Sequence, residues 1–223
     1  GGETDDRTLS YKPEVGRASA LDANIGCTAT LISNACVVTA GHCLPRVKKF
    51  SFNVPESVNS VPMPSKRSDI YYIDPSFVKQ RTNEEGDDWG VIRLLPNQET
   101  KLLPGEAQGH LSIRLSQSVL VGDSVRIYGH GSDKNDPIRN YSQQSHAGTI
   151  QKIGGFFSSK SRLGYDIDTM AGNSGSAIIL ESSGEVIGVH SHGSCEIWGP
   201  YNEGTLISKN KKFKQAIIDC IKE

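Results

Sequence analysis

Thr39-Ala40-Gly41-His42-Cys43 closes a short apolar run, residues 35–38, and so sets a histidine just past the end of a buried strand. An imidazole so placed becomes chemically useful if a nucleophile and an orienting acid are brought to it. Asp88-Trp89-Gly90-Val91-Ile92-Arg93-Leu94 puts an acid immediately before a second apolar strand. Gly172-Asn173-Ser174-Gly175-Ser176 precedes a third, where glycines permit a tight turn that exposes a hydroxyl and aims backbone N–H groups at one point. Attack on an amide by a serine needs a base for its proton, a group to hold that base and donors for the developing oxyanion. The three stretches supply all of these. Singly each has a plainer reading: a packed histidine, a solvated strand-end acid, a turn.

Charge and length narrow the partners. Among 223 residues, 24 Lys and Arg nearly balance 25 Asp and Glu, so a protein or peptide partner is expected and neither nucleic acid nor a membrane is. The apolar runs are far shorter than the ~20 residues of a membrane helix. A start at Gly1 without Met or a leader suggests a processed, secreted chain, expected to be monomeric. Gly and Ser punctuate short stretches rich in Val, Ile, Thr and Tyr, which predicts many short strands in a sandwich or barrel, among them 36–39, 91–95, 124–128, 177–180 and 186–190. Residues 210–223 instead repeat their apolar positions at helical spacing, and 61–64 and 129–140 read as loops. Acidic clusters at Asp5-Asp6 and Glu84-Glu85-Asp87 lack the alternating oxygen ligands of a calcium loop and read as solvated charge, so no metal or cofactor is expected.

The order His42, Asp88, Ser174 is that of chymotrypsin and differs from those of subtilisin and the α/β-hydrolases. The chain resembles the chymotrypsin-like proteases and is similar to the bacterial glutamyl endopeptidases over nearly its whole length. Asp5-Asp6-Arg7-Thr8, Cys27 with Cys43, Asp168-Thr169, Val189-His190 and Tyr201-Asn202-Glu203-Gly204-Thr205 join the three stretches above in that family's order. The resemblance implies an all-β fold of two antiparallel six-stranded β-barrels with a C-terminal α-helix and the triad in the cleft between them. His42 and Asp88 would belong to an N-terminal barrel at 1–115, whose first residues pack on the other barrel. Ser174, the specificity pocket and the helix would belong to 116–223. His42 would act as base and then acid, Asp88 would orient it, and Ser174 would be acylated beside an oxyanion hole made by the N–H groups of Gly172 and Ser174. Ser191 is either a hydroxyl that helps hold Asp88 or an ordinary strand-end residue, and Ser191, His192 and Gly193 would pair with substrate backbone as an added strand. A Cys27–Cys43 bridge would brace the His42 loop. Cys36 and Cys220 either form a second bridge or remain buried thiols, with Cys195 unpaired near the pocket rim.

Pocket residues implied by the resemblance point two ways. Asp168 holds the position from which trypsin-like enzymes attract Lys or Arg, whereas Thr169 and His190 match the pair with which glutamyl endopeptidases hold a substrate carboxylate. Asn173 stands where trypsin-like enzymes have the Asp that pairs with the freed N-terminus, and Met170 where they have a rim disulfide. These departures favour cleavage after Glu, then Asp, with a protonated His190 facing the carboxylate. Cleavage after Lys or Arg through Asp168 is the alternative, and a catalytically inert protease-like binding protein is the alternative from another class.

Overall fold

Neighbouring residues of a strand point to opposite faces, and both faces are dry in the strands that carry the site. The computed structural model describes residues 5–83, 86–116, 118–154, 160–193 and 201–222. In it Cys36 and Val38 face one core and Val37 another; Trp89 and Val91 part from Ile92 and Leu94, and Ala177 and Ile179 from Ile178 and Leu180, in the same way. The continuous apolar runs are therefore strands buried on both sides.

A two-residue strand, β1 (Thr8–Leu9), comes first. The first barrel is made of β2 (Val15–Ser19), β3 (Gly26–Leu31), β4 (Cys36–Thr39), β5 (Lys49–Ser51), β6 (Ile70–Thr82) and β7 (Asp88–Leu94), closed in the order β2-β3-β4-β7-β6-β5. After a one-turn helix, α1 (Pro104–Gln108), come β8 (Ser124–Gly129), β9 (Gln144–Ile153), β10 (Arg162–Tyr165), β11 (Ala177–Leu180), β12 (Glu185–His192) and β13 (Asn202–Leu206). They run β9-β10-β13-β12-β11-β8, and β8 pairs back to β9 to close a second six-stranded antiparallel barrel. β1 adds to the start of β9 through Thr8↔Ser145, which fixes the N-terminal segment on this second barrel.

Leu31, Phe50 and Tyr71 fill the first barrel, and Ile127, Leu163 and Ile187 the second. A third core lies between them, where Val38, Val91, Ile179 and Val189 meet Phe213 and Ile217 of the closing helix α2 (Lys211–Lys222). Phe213, Ala216, Ile217 and Cys220 are its buried residues, at the spacing that puts them on one face. Asn210 caps the helix, its Oδ1 accepting the Phe213 N–H at 3.0 Å. Phe213 stacks on Trp89 with centroids 5.0 Å apart, and Cys220 is bridged to Cys36 of β4. A 12-residue helix is marginal alone, so this packing, about 1.5–3 kcal/mol per large apolar side chain, holds it in place. It also backs β7, the strand that begins with Asp88.

Candidate active site

His42 sits in a 3-10 turn, Gly41–Cys43, that follows directly on β4, and the Cys27–Cys43 bridge ties this turn to β3. Asp88 is buried and is the first residue of β7 rather than a residue before it, paired with Thr82 across the ladder. Its Oδ2 lies 2.5 Å from His42 Nδ1, and its Oδ1 accepts the His42 backbone N–H at 3.0 Å. Both carboxylate oxygens thus hold one residue, which leaves Nε2 as the ring nitrogen available to a reacting group. Asp87 is engaged elsewhere, by Arg81 Nε at 2.6 Å, Trp89 Nε1 at 3.0 Å and the cap residue Asn210 at 2.9 Å.

Thr205 of β13 braces Asp88, its hydroxyl accepting the Asp88 N–H at 3.2 Å and donating to the Asp88 carbonyl at 3.1 Å. Of the two readings of Ser191, a hydroxyl that helps hold Asp88 or an ordinary strand-end residue, its hydrogen bonds fit the second. The β12–β13 register shifts between His190 and His192, and the Ser191 hydroxyl lies 2.9 Å from His192 Nδ1 and 3.5 Å from the Glu203 carbonyl. His192 is exposed, its ring 6.1 Å from that of His42.

The turn that carries Ser174 is docked onto the first barrel. Thr28 of β3 donates its N–H to the Ser174 carbonyl at 2.8 Å and its hydroxyl to the Gly172 carbonyl at 2.9 Å. The same Ser174 carbonyl lies 3.9 Å from Cys43 Sγ, which brings the serine against the His42 turn. Gly175 donates to the His190 carbonyl at 2.7 Å, anchoring the turn to β12 as well. Gly172 and Gly175 have φ of +106° and +88°, and a Cβ on Gly175 would collide with the first barrel around Thr39, so the glycines are required by conformation and by space. Among the described residues, the N–H groups of Gly172 and Ser174 meet no protein acceptor.

His190, on β12, is buried, and its Nδ1 lies 2.6 Å from the hydroxyl of Tyr165, a fully buried residue of β10. Burial, and then the charges of His192 and His42, push the His190 pKa down to about 3. With no carboxylate beside it among the described residues, the imidazole is therefore neutral near pH 7. Thr169 is half-buried, and a Cβ placed on Gly193 would stand 3.8 Å from its Oγ1. Those two residues thus face each other.

Asp168 is turned towards the N-terminal segment. Its Oδ2 accepts the Asp6 N–H at 3.0 Å and lies 3.6 Å from His146 Nδ1, which in turn accepts the Asp168 N–H at 2.8 Å. Asp6, His146 and Asp168, among the described residues, have ligand atoms within 4.8 Å of one another and form one group of a kind that could hold a cation. Asp5 and Asp87 are not the solvated charges their sequence context suggests, because Asp5 pairs with Arg7 at 2.6 Å and Arg139 at 3.0 Å, and Asp87 with Arg81. Gly1, Glu84, Glu85 and Cys195 lie outside the described residues.

The trypsin family profile matches residues 10–213, and the chain belongs to this family of serine proteases. Its fold is similar to that of a Glu endopeptidase solved in complex with MPD, with a TM-score of 0.74 at 22% identity over 99% of each chain. The protease Anisep from Arthrobacter nicotinovorans gives 0.70 at 16% identity, over 97% of this chain and 100% of that one. Human heparin binding protein gives 0.68 at 15% identity, over 97% of this chain and 95% of that one. No curated protein matches the chain in sequence.

Proposed function

We propose that this protein is a secreted serine endopeptidase that cleaves peptide bonds through an acyl-enzyme, after Glu and less readily after Asp. Ser174 Oγ attacks the scissile carbonyl while His42 Nε2 takes its proton, and Asp88 holds the ring in the tautomer that allows this. The N–H groups of Gly172 and Ser174 receive the oxyanion, a contribution of order 3 kcal/mol per donor. His42 then hands the proton to the leaving nitrogen, and water repeats the sequence on the ester.

The pairing of His190 with Tyr165 carries the acidic preference. In the tautomer in which the Tyr165 hydroxyl, 2.6 Å from Nδ1 and 3.3 Å from the Glu203 carbonyl, donates to Nδ1, Nε2–H is left as a donor, and with the Thr169 hydroxyl it would receive a substrate carboxylate without a buried cation. Hydrogen bonds to a charged group contribute about 1.5–3 kcal/mol each, enough for a tenfold to hundredfold preference. The Asp168 carboxylate is occupied by the Asp6 N–H and stands beside His146, which argues against its serving a substrate Lys or Arg. The two disulfides support an oxidising, extracellular setting.

A peptide series varied only at the residue before the scissile bond tests the preference. Glu is expected to be turned over at least about tenfold faster than Gln or Lys, and faster turnover after Lys or Arg would overturn the reading. A catalytically inert protease-like binding protein is the second reading. Labelling of Ser174 by an organophosphonate separates the two, since an inert relative would not react.

A further inference from the structure

The residue before Ser174 carries a side chain that the acyl-transfer steps do not use. Asn173 is buried, and its backbone closes the turn: its N–H donates to the Met170 carbonyl at 3.0 Å and its carbonyl accepts the Ser176 N–H at 2.9 Å. Its side-chain Oδ1 is packed against Gly129, the last residue of β8, and Gly131. A Cβ on either glycine would stand 2.8 Å from it, so both positions are kept bare to admit the amide. Among the described residues, Oδ1 has no hydrogen-bond partner. A buried amide carbonyl left unpaired is costly, so a donor gains by reaching it.

Arg7 supplies that donor. It stands just before β1, outside residues 10–213 that the family profile covers, and is 2% exposed. Asp5 clamps two of its nitrogens, Nε at 2.8 Å and Nη2 at 2.6 Å, and Nη2 also donates to the Ser132 carbonyl at 3.1 Å. Arg139 holds Asp5 at 3.0 Å and donates to the Arg7 carbonyl at 2.9 Å, so the guanidinium is fixed in place. Its remaining nitrogen, Nη1, is buried and has no partner among the described residues. The Cβ on Gly131 that would stand 2.8 Å from Asn173 Oδ1 would stand 2.2 Å from Arg7 Nη1, so a buried donor and a buried acceptor lie against one glycine. We propose that Arg7 is a positioning residue for the acyl-transfer reaction: Nη1 donates to Asn173 Oδ1 and holds the turn whose Gly172 and Ser174 N–H groups receive the oxyanion. The terminal torsion of asparagine is soft, so rotation of the amide closes the bond without moving the backbone. Thr28 grips the backbone of this turn from the first barrel, and Arg7 grips its side chain from the segment that β1 fixes on the second.

The role of Arg7 rests on the proposed triad and oxyanion hole, and the experiment separates the two. Arg7→Gln withdraws Nη1, and Arg7→Lys withdraws it while keeping a cation for Asp5, so one variant serves should the other not fold. In either, kcat is expected to fall about tenfold with KM within about threefold of wild type. Affinity for a peptide aldehyde, whose adduct with Ser174 places an oxygen in the oxyanion hole, is expected to fall about tenfold as well. Once Asn173→Ala has removed the acceptor, Arg7→Lys is expected to lower kcat by less than about threefold more. A folded Arg7 variant with kcat and aldehyde affinity within about threefold of wild type, or equal kcat losses with and without Asn173→Ala, would overturn the link alone. An organophosphonate that fails to label wild-type Ser174 would overturn the triad assignment, and the link with it.

Discussion

The Tyr165 hydroxyl lies 2.6 Å from His190 Nδ1, with the two rings at 64° and both side chains closed off from water. Burial raises the Tyr165 pKa well above its ordinary value and lowers that of His190, so two neutral groups share this hydrogen bond across the pH range of proteolysis. Tyr165→Phe removes the hydroxyl beside Nδ1 and with it, on the proposed reading, the partner that keeps the outward donor on Nε2. The Glu-to-Gln ratio of kcat/KM is expected to fall about tenfold, chiefly through KM for Glu peptides. An unchanged ratio would show that Tyr165 only packs.

Two adjacent acids separate catalysis from stability. Asp88→Asn presents an amide N–H to His42 Nδ1 and favours the tautomer that cannot accept the serine proton, so kcat is expected to fall about 10⁴-fold. Asp87→Asn loses the ion pair with Arg81 and weakens the tie to the helix cap at Asn210. It is expected to lower Tm by a few degrees with kcat within about threefold of wild type. Steady-state kinetics and calorimetry on the two variants check this, and a large kcat loss in Asp87→Asn would contradict it.

This division was legible in the sequence for the groups proposed to do the chemistry, because His42, Asp88 and Ser174 each stand at the edge of an apolar run. The groups that hold them were not legible. Thr28 is a polar residue within a strand, and Thr205 is 117 residues from the Asp88 it brackets. Tyr165 reads as an ordinary core aromatic until the second barrel closes and sets its hydroxyl against His190. Ser191 kept two readings because the shift in the β12–β13 register between His190 and His192, which no local pattern announces, leaves it without a ladder partner. The apolar runs at β4, β7 and β11 announced strands, but only the packed barrels reveal that each divides its residues between two cores.

Stability is expected to fall as pH drops below about 6.5. His190 and His130 are both buried, and burial pushes each from 6.5 to about 3, assisted at His130 by the charge of Arg17. Between these values the unfolded chain binds about two protons that the folded chain refuses, so unfolding free energy rises with pH across the window and is lost as pH falls. Each histidine adds a slope of up to about 1.4 kcal/mol per pH unit. Denaturant melts from pH 7 to 4 check this, and stability that is flat or increases towards pH 4 would contradict it.

Cys36 and Cys220 are 184 residues apart, so their bridge constrains most of the unfolded chain as well as fastening α2 to β4. Replacing both by Ala is expected to cost roughly 2–5 kcal/mol, seen as a Tm lower by about 10 °C. Calorimetry of Cys36→Ala/Cys220→Ala measures it, and a Tm within about 2 °C of wild type would contradict the account of how the helix is held.

Exposing a mixed peptide library to the protein and mapping every cut bond by mass spectrometry tests the proposed endopeptidase and its acidic preference together. Cuts are expected to concentrate after Glu, with a smaller share after Asp, and all to be abolished in Ser174→Ala. Cuts concentrated after Lys or Arg, or cleavage that persists without the Ser174 hydroxyl, would contradict it.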